Sequence, residues 1–479
     1  MPDPDNSEGD NQNGMSTSLD PRTFHLYARR WWILFILGLL QFSNAMIWLS
    51  YAPIADYTAT FYHSTTDMVN YLSLVYMVAS ALFGVMSAFV LDYMGLRAGI
   101  IVGAWLNVVG AGIKLLSAFP DVVPSNTQLT VAFIGQSVSA LAQPYIMFAT
   151  TKLAALWFPE EHRALANTIG SMANPLGIMV GSLLAPAIVN PSPGAKLDGY
   201  FQTLLGVHCG PALLAAILSV FVITSSKPPT PPSASAETES MPFKDGIVAM
   251  FKTKSYWLLM ICCGAGVALF TVLTTILQQI LCPHGYSDTY AGTCGAVMIA
   301  AGIVGAAITG VLADKTKKFE EIAKTFYAFA IVSSVLFAIV ARYPNQHALV
   351  MVTVGAFGFF GFGLYPICLE LGVEVTYPVA EATSTAFIIM SGSGQVQGIA
   401  YLVIMQALAV DFSTPNSACS PSVQVQDFTN ALLFFNCMAF VICVSLIIFF
   451  NANYKRMRAE QASEAQRILG FQPTPVSSS

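Results

Sequence analysis

Apolar runs long enough to cross a bilayer recur along the whole chain, and they constrain its fold more than any other feature. A spanning helix needs about 20 consecutive apolar residues, and the first run, from Trp31 to Ala55, contains no Lys, Arg, Asp or Glu. Backbone groups in lipid must be hydrogen-bonded within the segment, so such runs predict helices. Only 10% of the 479 residues are charged, against roughly 25% in soluble domains. The sequence predicts an all-α integral membrane protein.

The runs predict twelve transmembrane helices in two groups of six, the eleventh at 382–409. The longest polar interruption, SSKPPTPPSASAETESMPFKDG, lies between the sixth and seventh spans. Its Pro, Ser and charged residues are typical of a flexible linker. The predicted domains are a disordered N-terminal tail (1–30), a six-helix bundle (31–224), a linker (225–254), a second six-helix bundle (255–450) and a C-terminal tail (451–479).

The basic residues of the loops predict the orientation of these spans. All but three of the 21 Lys and Arg residues fall on the side of the two tails and the linker, the exceptions being Lys114, Lys196 and Arg342. Cytoplasmic loops carry the excess of Lys and Arg. Both tails and the linker are therefore predicted to be cytoplasmic. Lys114 lies within the third span and is expected to extend its ammonium group to the outer face.

Two loops resemble each other across the halves. LDYMGLRA follows the second span and GVLADKTKK follows the eighth, and their aspartates are 222 positions apart. A short loop must turn tightly, and its charges can pair with neighbouring helix ends and latch the bundles. The pattern resembles the loop signature of the major facilitator superfamily, which implies two six-helix bundles and alternating access. The candidate gating residues of these loops are Asp92, Gly95, Arg97, Asp314, Lys315 and Lys318.

Longer strings carry a more specific resemblance, over residues 26 to 450. SNAMIWLSYAPIAD, GQSVSALAQ, QQILC and LELGVEVTYPVAEATSTA occur in this order. Together they resemble solute carrier family 49, the family of the feline leukaemia virus subgroup C receptors. The resemblance implies facilitated transport of a small organic solute. The receptor branches are associated with choline and ethanolamine, and with a debated role in haem export.

The resemblance also implies a choline site built from a Trp in the first span, a Tyr in the seventh, and Gln residues in the fourth and eleventh. The matching residues here are Trp48, Gln143 and Gln395. The Tyr is not conserved in this sequence, because Thr271 stands at its position, directly after Phe270. The cage therefore loses one aromatic wall. Phe270 can replace it only if the helix register is shifted.

Asn44 and Trp48 are four residues apart and share one face of the first helix. An indole face can hold a quaternary ammonium by cation–π attraction, worth about 2 kcal/mol when desolvated, and an amide nearby can orient a hydroxyl. The alternative is a packed Trp and an Asn that bonds between helices. Both residues are candidates for substrate binding.

Acidic residues inside spans suggest proton coupling or a counter-charge for a cation. Glu370 and Glu374 lie four residues apart near the cytoplasmic end of the tenth span. Alternatively, they latch to the basic loops. Few other acids are central, and this scarcity predicts a uniporter rather than a proton symporter.

Other classes of function find little support. The sequence contains no G-x-S-x-G, P-loop or paired-His motif, so no enzyme activity is predicted, and the net charge of −5 disfavours nucleic acid as a partner. The nine cysteines show no metal-type spacing, and neither metal nor cofactor is predicted. Cys282 and Cys294, near outer loops, are a possible disulfide. Six cysteines in apolar segments are interpreted as packing residues: Cys209, Cys262, Cys263, Cys368, Cys437 and Cys443.

The predicted function is secondary transport of a small organic solute, with a choline-like cation as one candidate, by a monomer in the lipid bilayer. One alternative is transport of haem or another amphipathic metabolite, although only His208 lies within a span as a possible axial ligand. Another is a receptor or sensor of transporter fold without turnover. The plasma membrane is the first expectation for location. The endolysosomal membrane is the second, because EAQRIL loosely resembles an acidic dileucine signal.

Overall fold

The computed structural model describes eleven stretches of the chain and consists almost entirely of α-helices. The predicted site residue Gln395 lies outside these stretches, and the side chains of Asp92 and Asp314 are outside the description too. The described residues are 25–192, 195–230, 232, 243–377, 379, 384, 387–390, 396–411, 418–419, 425–455 and 457–458.

Fourteen α-helices lie within these described stretches. They are α1 (Arg29–Trp48), α2 (Ala55–Phe61), α3 (Thr66–Tyr93), α4 (Leu96–Leu116), α5 (Gln128–Trp157), α6 (Glu160–Ile188), α7 (Asp198–Val222), α8 (Phe243–Phe251), α9 (Lys254–Leu281), α10 (Asp288–Thr316), α11 (Phe319–Val340), α12 (His347–Thr376), α13 (Val396–Leu408) and α14 (Thr429–Phe449). Strands β1 (Val410–Asp411) and β2 (Gln426–Asp427) pair antiparallel.

Eleven candidate spans among the described residues are long and apolar enough to cross a membrane. The first of them, Arg29–Phe61, comprises α1 and α2. The eleventh predicted span, at 382–409, corresponds to α13, which is apolar but shorter, and residues 391–395 before it are not described. The prediction of an all-α, multi-pass membrane fold is confirmed. The predicted linker holds one more helix, the short α8, which precedes α9.

Small residues let neighbouring helices approach closely. On α4 and α5, a Cβ atom added to Gly110 would lie 2.3 Å from the backbone nitrogen of Ser139, and one added to Gly135 would lie 2.5 Å from that of Lys114. Membrane helices have little hydrophobic force to drive them together, so such close backbone contact is a main source of their association. Here it fixes α4 against α5, the two helices that carry much of the site described below.

The two halves meet at the end of the molecule away from the termini, here called the distal end. α6 and α10 are in close contact there, as shown by the distance of 2.2 Å at which a Cβ atom added to Gly292 would lie from the carbonyl oxygen of Ser182. Asn70 on α3 and Gln279 on α9 exchange two amide hydrogen bonds, of 3.0 and 2.6 Å. On α13, Gln406 Nε2 donates to Asp67 Oδ1 at 3.3 Å. The distal end is therefore closed.

The cysteine interpretations need correction. Cys282 bonds to Cys419, with Cα atoms 5.0 Å apart, and not to Cys294. Cys294 lies on α10 and is a buried free cysteine, whereas the segment containing Cys419 contacts the end of α9, where the Ala418 backbone nitrogen donates to the carbonyl oxygen of Cys282. Cys263 on α9 and Cys368 on α12 are also joined, with Cα atoms 6.0 Å apart. The packing interpretation is therefore wrong for these two residues.

Candidate functional site

The first membrane segment is interrupted at the residues that the sequence singles out. α1 ends at Trp48, and a 3-10 turn at Ala52–Ile54 separates it from α2. Pro53 lies in this turn and has no N–H group with which to continue a helix. The break is buried, and Trp48 is only 7% exposed. It places the Trp48 side chain and several backbone carbonyl groups inside the protein.

Trp48 is fixed by α3. Its indole Nε1 donates to the carbonyl oxygen of Ser73 at 3.2 Å. One turn further along α3, the ring of Tyr76 lies with its centroid 6.4 Å from that of Trp48, at an interplanar angle of 45°. The indole N–H is thus satisfied by protein, and the remaining contacts of this buried side chain are made by its ring. Tyr76 completes an aromatic pair that sequence reasoning does not identify.

Asn44 has a different set of partners. Its Nδ2 donates to Asn107 Oδ1 at 2.8 Å and to the carbonyl oxygen of Ser139 at 3.0 Å, so both amide hydrogens are used. Asn107 in turn donates to Ser43 Oγ at 3.0 Å. This network joins α1, α4 and α5, as in the interhelical alternative. In this conformation it leaves no Asn44 N–H for a substrate.

Gln143 on α5 is half-buried and also contacts α3. Its Oε1 accepts a hydrogen bond from Ser80 Oγ at 2.8 Å. Ser73, Tyr76 and Ser80 are spaced three and four residues apart and share one face of α3. This face therefore brings Trp48 and Gln143 to neighbouring positions. In the second half, α13 packs against α3 next to this face. A Cβ atom added to Gly398 on α13 would lie 3.3 Å from Met77 Sδ.

Phe270 and Thr271 lie on α9 in the second half. The Phe270 ring stacks on Phe357, with centroids 6.1 Å apart, and its centroid lies 5.4 Å from that of Phe362. Thr271 Oγ1 donates to the carbonyl oxygen of Val267 at 2.9 Å. The Phe270 ring thus belongs to an aromatic cluster with α12, and the Thr271 hydroxyl is satisfied by its own helix.

The two resembling loops each contain one residue with a positive φ angle. Gly95 has φ of +87° and Lys317 has φ of +55°, and each follows its loop aspartate by three residues. Gly adopts this left-handed region without strain, and at Gly95 there is also no space, because a Cβ would lie 2.6 Å from Ser226 Oγ. The gating candidates Arg97, Lys315 and Lys318 are exposed.

The two glutamates of α12 differ in burial. Glu370 is exposed, whereas Glu374 is buried and its Oε2 accepts a hydrogen bond from the backbone nitrogen of Met457 at 3.2 Å. Glu374 therefore holds the segment that follows α14. Their predicted roles in gating or coupling stay predictions.

Lys114 does not reach the outer face, and this expectation is wrong. Its side chain is 2% exposed and turns inward to the break in α1. The distal ends of α3 and α4 are covered by the segment around α2, in which the Tyr62 hydroxyl bonds to Ser117 Oγ at 2.8 Å. This cover separates the ammonium group from the distal surface of the molecule.

Comparison with known proteins agrees with this architecture. The family model described as Major Facilitator Superfamily matches residues 37–414. Solute carrier family 49 member A3 of Xenopus tropicalis is 40% identical over 447 residues, which cover 92% of this chain and 91% of that protein. The choline/ethanolamine transporter flvcr2a of Danio rerio is 31% identical over 397 residues, covering 81% and 82%.

A solved structure shares the fold. The xylose transporter XylE from E. coli, in a partially occluded inward-open conformation, superposes with a TM-score of 0.66 at 10% identity, covering 89% of this chain and 99% of its own. The fold and these matches define a secondary transporter of a small solute, embedded in the lipid bilayer by multiple spans. The chain belongs to the major facilitator superfamily and, within it, to solute carrier family 49.

Proposed function

We propose that this protein is a uniporter for a small amino alcohol or quaternary ammonium solute of the choline and ethanolamine class. The observation that carries the proposal is the aromatic pair of Trp48 and Tyr76 at the break in α1. A similar protein of 31% identity is a choline/ethanolamine transporter. The pair supplies the surface that such a cation needs, inside a helix bundle that has few charges.

The contacts of Trp48 favour binding through the ring faces. Its N–H is occupied by the Ser73 carbonyl, so the indole offers a solute its π-electrons and not a hydrogen bond. A desolvated cation gains about 2 kcal/mol from such a face. Tyr76 supplies the second aromatic wall that Thr271 does not. Gln143 is placed by Ser80 so that its amide can donate to the hydroxyl oxygen of the solute. Gln395 is proposed to contribute from the second half.

The transport cycle follows from the closed distal end. Asn70 and Gln279 seal that end between the two halves, and the basic residues of the opposite end favour a cytoplasmic location of the termini. We assign the structure to the state closed to the outside. The halves are 31–224 and 255–450, joined by the linker 225–254, and they rock about the site as a monomer. The plasma membrane is the proposed location.

The test compares uptake of labelled choline and ethanolamine by cells that express the wild type, Trp48→Ala or Trp105→Ala at matched surface levels. Trp105 is on α4 and 46% exposed, so its replacement controls for the loss of an indole. We expect saturable uptake that is lost in Trp48→Ala and retained in Trp105→Ala. Uptake at background level in the wild type would refute the choline class. Binding of choline without flux would indicate a sensor.

A further inference from the structure

The Lys114 ammonium group lies in a cage of oxygen atoms at the break in α1. Nζ donates to the carbonyl oxygen of Ile47 at 3.0 Å, to Gln136 Oε1 at 2.6 Å and to Ser50 Oγ. An ammonium group has three N–H donors, and each has one acceptor here. The Tyr51 ring lies beneath it, with its centroid 4.0 Å from Nζ. The cage therefore matches the charged form of the side chain.

No carboxylate among the described residues forms an ion pair with Lys114. A buried charge without an opposite charge is costly, so the remaining groups must stabilise it. The last carbonyl groups of a helix carry partial negative charge and lack partners within the helix. Lys114 lies at such an end, and the Tyr51 ring adds a cation–π contact. The end of α1 acts as the counter-charge of this lysine.

The same cluster also fixes Trp48, the residue proposed to contact the substrate. Gln136, which accepts from Lys114, donates through Nε2 to the carbonyl oxygen of Trp48 at 3.2 Å. Lys114 on α4 and Gln136 on α5 thus satisfy the carbonyl groups of Ile47 and Trp48, the last two residues of α1. The backbone of Trp48 is fixed from one side by this cluster and its ring from the other by Ser73.

We propose that Lys114 is a positioning residue: its tethered ammonium group holds the break in α1, as a bound cation does where broken helices coordinate ions in other transporters, and so orients the Trp48 ring. The consequence for transport rests on the function proposed above, whereas the consequence for the α1 break does not. Because the cation is part of the chain, this site needs no ion from solution.

Hydrogen–deuterium exchange of the purified full-length protein in lipid nanodiscs tests the positioning directly. The variants are Lys114→Met, which removes charge and donors at similar length, and Lys196→Met, a control at an exposed loop lysine. We expect amide exchange across residues 45–56 to rise about tenfold in Lys114→Met only, with α11 unchanged as an internal reference. Unchanged exchange across 45–56 would overturn the proposal.

A second variant decides the case if Lys114→Met fails to fold. Gln136→Leu keeps the lysine but removes one acceptor of the cage and the bond to the Trp48 carbonyl. We expect it to raise exchange over the same residues, by a smaller factor. No local change in this variant would equally contradict the proposal.

Choline uptake then measures the effect on the substrate site. We expect Lys114→Met to raise KM about tenfold with Vmax within a factor of about two, and Lys114→Arg, which keeps the charge, to recover part of the loss. A fall in Vmax at unchanged KM would overturn the positioning of Trp48. If the wild type takes up no choline, the proposed substrate fails, and the exchange experiment still decides the role of Lys114.

Discussion

Trp48 lies on α1 and Tyr76 lies on α3, and a hydrogen bond to α3 holds Trp48 beside Tyr76. Their centroid distance of 6.4 Å is within the range at which aromatic side chains interact. The 45° tilt prevents the two faces from covering each other. Trp48 is bonded to Ser73, which precedes Tyr76 by three residues on the same helix face. The hydrogen bond between Trp48 and Ser73 therefore ties α1 to the helix that carries Tyr76 and sets the relative orientation of the two rings.

Two replacements of Tyr76 distinguish the contribution of its ring to binding from that of its hydroxyl. We expect Tyr76→Phe to leave the KM for choline within about a factor of two, because the ring stays. Tyr76→Leu should raise KM about tenfold, since 1.4 kcal/mol corresponds to a factor of ten and a cation–π contact is worth about 0.5–2 kcal/mol. The concentration dependence of uptake at matched surface levels measures both. Equal KM values for the Phe and Leu variants would refute an aromatic wall at this position.

Residues of this site differ in how far the sequence reveals them. Asn44, Trp48 and Gln143 stand out because a polar or indole group inside an apolar span needs a partner. Their partners cannot be predicted in this way, since Asn107 and Ser139 are 63 and 95 positions from Asn44. Tyr76 cannot be predicted as part of the site, because the sequence does not indicate which neighbour an aromatic residue in an apolar helix will contact.

At the level of helices, length and hydropathy predict the elements but not their interruptions. α3 to α7, α9 to α12 and α14 fall where apolar runs predict spans. The break after Trp48 has only Pro53 as a local signal, and its stabilisation comes from Lys114 on α4 and Gln136 on α5. Such a break is a tertiary feature, because side chains from other helices must satisfy the carbonyl groups that it frees.

The amide pair between α3 and α9 gives a prediction about the distal seal. Asn70 and Gln279 are 1% and 5% exposed, and each single change to Leu leaves the partner amide buried without its hydrogen bonds. An unsatisfied buried polar group costs about 1–3 kcal/mol, whereas replacing both partners can be nearly neutral. We expect Asn70→Leu and Gln279→Leu each to reduce uptake Vmax at least about fivefold, and the double variant to reduce it less.

Gln346→Leu is the matched control, because Gln346 is an exposed residue in the distal loop between α11 and α12. It should leave Vmax unchanged. If the two single effects multiply in the double variant, Asn70 and Gln279 do not act as a pair. A double variant as active as the wild type would mean that an apolar contact seals this end equally well.

For the whole molecule, a repeated position in the loops connects the two halves. The positive φ angles of Gly95 and Lys317 occur at equivalent positions, three residues after the loop aspartates. The sequence predicts this repeat because it depends on local residues in each half. It does not predict that the distal end is the closed one, since that depends on which contacts between the halves form in a given state. Asn70 meets Gln279, and Ser182 meets Gly292, only when the halves are placed together.

The distribution of charge predicts transport that is not coupled to an ion. The buried carboxylates among the described residues are Asp56, Asp288 and Glu374, and all three lie near helix ends rather than at mid-membrane. The buried cation at the break in α1 is Lys114, which is covalently part of the chain. We therefore expect the initial rate of choline uptake to be unchanged when K⁺ replaces Na⁺, and when the pH gradient is abolished at constant membrane potential.

The rate of choline uptake should respond to the membrane potential, because moving one charge across 100 mV is worth about 2.3 kcal/mol. Proteoliposomes with imposed gradients measure each factor separately, and uptake that follows an imposed pH gradient at fixed potential would show that a carboxylate carries a coupled proton.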